Sequence, residues 1–156
     1  MDIAYLQTPI GIAEFKGDEN GLSKISVLDT NIPIGIIPET LIEPIHQFKE
    51  YFEGKRQDFD LKLNPSGTEF QQKVWEALVK IPYGKTVSYL ELSKRLGDPK
   101  AIRAVAAANG KNPLWIVVPC HRVIGSNGDL IGYAGGLHRK KWLLEHESPA
   151  PQQSLF

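Results

Sequence analysis

Cys120 is the only cysteine of the 156-residue chain, and His121 and Arg122 follow it directly. A thiol, an imidazole and a guanidinium in a row hold the parts of nucleophilic chemistry. The thiolate is the attacking species, and a nearby base or positive charge produces it. Consecutive side chains on extended backbone point to opposite sides, so contact between Cys120 and His121 requires a turn there. Glu147 stands at the end of the last helical pattern; a carboxylate reaching back to His121, directly or through water, would complete a nucleophile, base and orienter set. A small buried cysteine beside a polar surface pair is the other reading of the same residues. One cysteine forms no internal disulfide, and with four scattered histidines it offers no cysteine-rich metal cluster.

The elements that must carry these residues fall into two parts. Ile3 to Leu28 alternates apolar and polar residues, with turn chemistry at Thr8-Pro9-Ile10-Gly11 and Asp18-Glu19-Asn20-Gly21, which predicts three short strands. Ile42, Ile45, Phe48, Tyr51 and Phe52 recur at helical spacing up to Gly54. Asp58 to Leu63 alternates again and is expected to return to the sheet. Asn64-Pro65-Ser66-Gly67 then marks a boundary, giving an α/β domain over 1–64 and a second domain over 65–147. The second opens with Thr68 and a helix whose apolar face uses Phe70, Val74, Trp75, Leu78 and Val79. Thr86 or Ser88 caps a helix to about Leu96, Gly97-Asp98-Pro99 turns the chain, and Lys100 to Ala107 resumes a helix rich in alanine. Two short helices about a tight turn suggest a helix-turn-helix. Trp115-Ile116-Val117-Val118 is a β-branched apolar run leading to Cys120. Gly135-Gly136 precedes a final helix from Leu137 to about Glu147, and 148–156 reads as a flexible tail.

Composition bounds the function. The hydrophobic fraction of 42% and charged fraction of 23% are ordinary for a globular protein. No apolar run approaches the roughly 20 residues a membrane helix needs, and no secretory signal opens the chain, so a cytoplasmic location is expected. The formal net charge of zero hides an asymmetry: residues 1 to 64 carry 6 Lys/Arg against 11 Asp/Glu, and residues 65 to 156 carry 12 against 7. Lys80 to Lys111 alone holds 7 basic residues against 2 acidic ones. The basic excess thus falls on the helix-turn-helix, as a nucleic-acid surface requires, although mutual attraction of an acidic and a basic half would read the same.

Pro119-Cys120-His121-Arg122-Val123, preceded by Asn112-Pro113 and followed by Gly132-Tyr133-Ala134-Gly135-Gly136-Leu137, resembles the active-site signature of the O6-alkylguanine-DNA alkyltransferases, the methylated-DNA–protein-cysteine methyltransferases. The likeness runs from about Phe70 through Glu147 and includes Tyr89 and Arg103 at matching spacings. It implies a ribonuclease-H-like N-terminal α/β domain and a mainly helical C-terminal domain containing the helix-turn-helix. It also implies repair of O6-alkylguanine by one irreversible alkyl transfer to Cys120, with O4-alkylthymine as a further candidate substrate. The alkylated oxygen lies on the base-pairing edge, so the nucleotide must leave the duplex before a thiolate can align with it. Carried over residue by residue, Arg103 fills the place vacated by the flipped nucleotide. Tyr89 crowds the rotated phosphate and donates to the base. Asn112 ties the DNA-binding helices to the active-site strand, His121 activates Cys120 through a water, and Glu147 orients His121. Tyr133 walls the pocket, Val123 offers a backbone carbonyl to the guanine amino group, and Ala134 stands where some members have serine. The displacement needs no metal or other cofactor, and His46 alone in the first domain cannot hold the zinc of some relatives.

The same helix-turn-helix would serve a transcription regulator, the Cys120–His121 pair a cysteine hydrolase, and a non-reactive alkyltransferase-like protein would lack the nucleophile. Duplex DNA is the expected partner and a monomer the expected state. Gln152-Gln153-Ser154-Leu155-Phe156 resembles the short peptide by which bacterial repair proteins dock on the replication sliding clamp, with Gln152, Leu155 and Phe156 as its contacts; a tail without a partner is the alternative.

Overall fold

The computed structural model describes residues 1–125, 128, 133 and 135–148. They form two units, one of Met1–Ser66 with Pro113–Trp115, the other of Gly67–Asn112 with the described residues from Ile116 onward.

In the first unit β1 (Asp2–Thr8), β2 (Gly11–Asp18) and β3 (Gly21–Leu28) form an antiparallel meander. Its turns are where Pro, Gly and Asn cluster: Thr8 Oγ1 donates to Gly11 O and the Asp18 carboxylate accepts from Asn20 N–H. Helix α1 (Glu39–Phe52) covers the sheet with Leu41, Ile45, Phe48 and Tyr51. Phe48 meets Phe15 edge to face at 4.8 Å and Trp115 at 6.3 Å. Ile42, expected on the buried stripe, points outward at 53% exposure, because the stripe follows 41, 45 and 48 instead. Residues 58 to 63 do not rejoin the sheet as a strand. Only Leu63 bridges Leu22, with the Leu22 N–H donating to Lys62 O and the Asn64 N–H to Leu22 O. The far side of β3 is completed from a distant part of the chain. The Ile25 N–H donates to Pro113 O at 2.8 Å, and the Trp115 N–H donates to Ile25 O at 3.1 Å.

In the second unit the helix expected at Thr68 is capped by that residue, and of the two candidates Thr86 and Ser88 it is Ser88 that caps the next. Thr68 begins α2 (Glu69–Val79) and Ser88 begins α3 (Tyr89–Arg95), each in a capping box closed by Gln71 or Glu91 three residues on. Val74, Trp75 and Leu78 bury the inner face of α2, whereas Phe70 and Val79 lie at its margins, 39% and 52% exposed. Gly97, at φ +86°, lets the chain turn after α3. Asp98 caps a single 3-10 turn at Pro99–Ala101, and α4 (Ile102–Gly110) follows. The second helix of the pair thus starts and ends later than the alanine run suggested. Helices α2 and α4 are fastened where the Trp75 Nε1–H donates to the Ala108 carbonyl at 2.9 Å. Beyond β5 (Val123–Ile124), which pairs in parallel with β4 (Val87–Ser88), the described chain resumes as α5 (Leu137–His146).

Candidate active site

The run from Trp115 to Val118 is a series of turns, not a strand, and Ile116 holds φ +70° while only 1% exposed. A β-branched residue in the left-handed region costs on the order of 1–3 kcal/mol and persists only where its surroundings impose it. The turns bring Pro119 to a 3-10 turn over Cys120–Arg122, with the Cys120 N–H donating back to Val118 O and the Arg122 N–H to Pro119 O. This is the turn that contact around the thiol required. It sends the three consecutive side chains inward, where Cys120, His121 and Arg122 are 7%, 0% and 5% exposed.

Glu147, immediately after α5, meets two of them. His121 Nε2 lies 2.8 Å from Glu147 Oε2; Arg122 donates from Nε to Oε1 at 2.8 Å and from Nη2 to Oε2 at 3.0 Å. The remaining Arg122 fork donates to Ile81 O at 2.7 Å, and its guanidinium lies over the Tyr83 ring. Burial alone would raise the Glu147 carboxyl. The hydrogen bonds and charges of His121 and Arg122 outweigh it and hold the group at about 2. An ionised carboxylate only accepts, so His121 Nε2 carries the proton and Nδ1 presents its lone pair. That Nδ1 is buried and has no hydrogen-bond partner among the described residues. Burial lowers the His121 pKa against the pull of Glu147, which keeps the imidazole neutral and basic at pH 7.

The thiol sits in a mixed environment. Burial raises its pKa, opposed by the Asn112 amide, the Lys140 charge, its own backbone N–H and the Tyr133 hydroxyl. Asn112 Nδ2 donates to Cys120 Sγ at 3.2 Å and to Val118 O at 2.7 Å, so one amide grips both the nucleophile and the turn before it. A thiol so placed rests protonated, yet its thiolate has donors already aimed at it. Such a group reacts when a base takes its proton.

Tyr89, the first residue of α3, is 8% exposed and close enough to Cys120 for a negative sulfur to raise its pKa, after burial as the larger cause. Arg103 is exposed on α4 together with Ile102, Ala104 and Ala107, while Val105, Ala108 and Asn109 face inward. Val123 is fully buried in β5, its N–H donating to Cys120 O. Ala134 lies outside the described residues. Cys120, His121, Glu147, Asn112, Tyr89 and Tyr133 therefore converge, and Arg103 is set apart on the solvent face of the second helix. Sequence reasoning left Arg122 without a role and passed over Lys140 and Asn109. A charged residue at 0% exposure such as Lys140 leaves no signal in a pattern where lysine normally marks a solvated face. Among the described residues no group of three or more His, Cys, Asp or Glu is placed to hold a metal ion, and no helix is long and apolar enough to cross a membrane.

Residues 69–149 match the family model described as the 6-O-methylguanine DNA methyltransferase DNA binding domain. A methylated-DNA–protein-cysteine methyltransferase of Methanosarcina acetivorans is 47% identical over 94% of this chain and 98% of its own length. One from Mycobacterium leprae is 46% identical over 96% and 94%. A Mycobacterium tuberculosis OGT solved in complex with DNA superposes with a TM-score of 0.83 at 43% identity, covering 94% of each chain. The cysteine held by Asn112, the buried histidine and carboxylate behind it and the basic helix pair all lie in or beside the matched segment, and the chain belongs to the methylated-DNA–protein-cysteine methyltransferase family.

Proposed function

We propose that this protein repairs DNA by moving an alkyl group from O6 of guanine to Cys120, once per molecule. The observation that carries the reading is the buried Cys120, His121, Glu147 arrangement, with Asn112 donating to the sulfur. His121 Nδ1 takes the thiol proton through a water. The thiolate attacks the alkyl carbon, the carbon–oxygen bond breaks with its electron pair going to the base, and guanine regains a proton as it leaves. The Tyr89 hydroxyl donates to the base as that charge develops. A thioether remains on the protein, and no metal or organic cofactor enters the balance.

The exposed face of α4 serves the DNA. Its alanines allow close approach to the minor groove, and Arg103 enters the stack where the damaged nucleotide has flipped out, a motion costing a few kcal/mol. Val123 O reads the guanine amino group, Tyr133 borders the pocket, and the protein acts as a cytoplasmic monomer. With excess duplex containing O6-methylguanine, peptide mass spectrometry should find one added methylene on the Cys120 peptide and none on Cys120→Ala. Tight lesion-selective binding without that adduct would make the protein a damage sensor instead.

The Gln152, Leu155, Phe156 pattern at the C-terminus supports a second partner, the replication sliding clamp, which would bring the enzyme to newly copied DNA. Deleting Leu155 and Phe156 should abolish capture by the clamp in a pull-down and leave alkyl transfer intact; undiminished capture discards the contact.

A further inference from the structure

Asn109 is a buried polar residue that the reaction above does not use. It lies near the end of α4, 2% exposed, and its Nδ2 donates to the Tyr89 hydroxyl oxygen at 3.3 Å. Its Oδ1 is buried with no partner among the described residues. Tyr89 is otherwise fixed from its own helix, where the Ser93 hydroxyl donates to the Tyr89 carbonyl at 2.9 Å.

The direction of the Asn109 bond matters. A phenol has one proton to give and two lone pairs to receive. With the amide N–H donating, Asn109 occupies a lone pair and leaves the O–H uncommitted to it. Turning the amide over would give Oδ1 a donor but consume that O–H. An unsatisfied buried polar atom costs roughly 1–3 kcal/mol, and the turned amide would strand Nδ2 in place of Oδ1, so the two orientations differ chiefly in what they leave to the phenol. We infer that Asn109 is a positioning residue that fixes the polarity of the Tyr89 hydroxyl, keeping its proton available for the departing guanine. It also places the contact on the helix that carries Arg103, so the element presented to DNA holds the pocket's donor. The N–H stabilises an ionising phenol as well, and the Tyr89 pKa is lowered by that bond against the larger effect of burial.

The inference rests on Tyr89 acting as a donor to the base, and single-turnover transfer at saturating lesion duplex separates the two. Tyr89→Phe should slow transfer by about 10²–10³-fold, as removal of one transition-state donor does. Asn109→Leu should slow it by about tenfold, the worth of one neutral hydrogen bond, and add little in the Tyr89→Phe background. A full-speed Tyr89→Phe protein overturns the donor reading and this inference with it. A slow Tyr89→Phe protein in which Asn109→Leu costs as much as in wild type overturns the inference alone.

Asn109→Asp supplies the readout that packing would not move. An ionised carboxylate can only accept, so it captures the Tyr89 proton and should be slower than Asn109→Leu at neutral pH. It should recover relative to Asn109→Leu as acidification lets the carboxyl donate; an unchanged ratio across pH overturns the proposal. Thermal melting and lesion-duplex affinity control for folding, and Asn109→Ala replaces the leucine variant if that one melts early.

Discussion

Replacing Glu147 with alanine should destabilise the protein by about 3–5 kcal/mol, the usual result of stripping one partner from a buried ion pair. The figure follows from what stays behind. Arg122 would keep only the Ile81 carbonyl and the Tyr83 ring against the loss of two charge-assisted bonds, and His121 would lose the acceptor that fixes its tautomer. Urea denaturation checks the value, and a midpoint within error of wild type would show that the guanidinium finds water or another acceptor. Acid adds a second signature. The Glu147 carboxyl is held at about 2 in the folded protein against its ordinary 4.5. Its contribution is therefore fully present above about 4.5 and is lost as the pH falls toward 2. Wild type should lose stability steeply across that window and the alanine variant less so.

His121→Gln should slow alkyl transfer by about 10²–10⁴-fold, the range general bases contribute, while lesion-duplex affinity stays near wild type. Glutamine can still donate to Glu147 but has no basic lone pair to take the thiol proton. In the wild type the neutral imidazole is the active form and burial lowers its pKa below 6.5. The rate should thus hold through neutrality and fall on the acid side, and the variant should lose that acid limb. A glutamine variant that is slow but keeps the wild-type acid limb would assign the titration to another group. One of wild-type speed would remove His121 from the reaction.

Local chemistry made much of this fold legible in the sequence. Thr68 and Ser88, each with an acceptor-bearing side chain three residues on, mark helix starts because the first backbone N–H groups need those partners. Turn residues separate the strands of the meander for similar reasons. The proximity of Cys120, His121 and Glu147 was readable only as a possibility, since it depends on a tight turn and on where the last helix ends. What escaped was set by tertiary context. Nothing local says that Arg122 will be buried against a carboxylate, that Lys140 will be fully covered, or that Ile116 will sit at positive φ. Ile42, Phe70 and Val79 satisfy helical spacing but lie outside the faces that became buried, because periodicity gives a stripe without saying how wide its cover will be. The alternation over 58 to 63 resembled a strand, yet it gives β3 a single bridge at Leu63, and Pro113–Trp115 supplies the other part of that second neighbour.

That borrowed edge constrains how the chain is made. Synthesis runs from the amino end, so the meander and α1 leave the ribosome long before Pro113–Trp115 exists to satisfy the Ile25 N–H and carbonyl. Until then the Ile25 end of β3, beyond the Leu22–Leu63 bridge, is an open strand edge, a template for pairing with the wrong chain. Closing it means closing a long loop through the whole helix-turn-helix, an entropy cost that grows only slowly with length but must be met before the contact stabilises anything. The N-terminal unit is thus completed after the helix pair has been synthesised, and a fragment ending at Ser66 would carry a sheet with its last hydrogen bonds unmade.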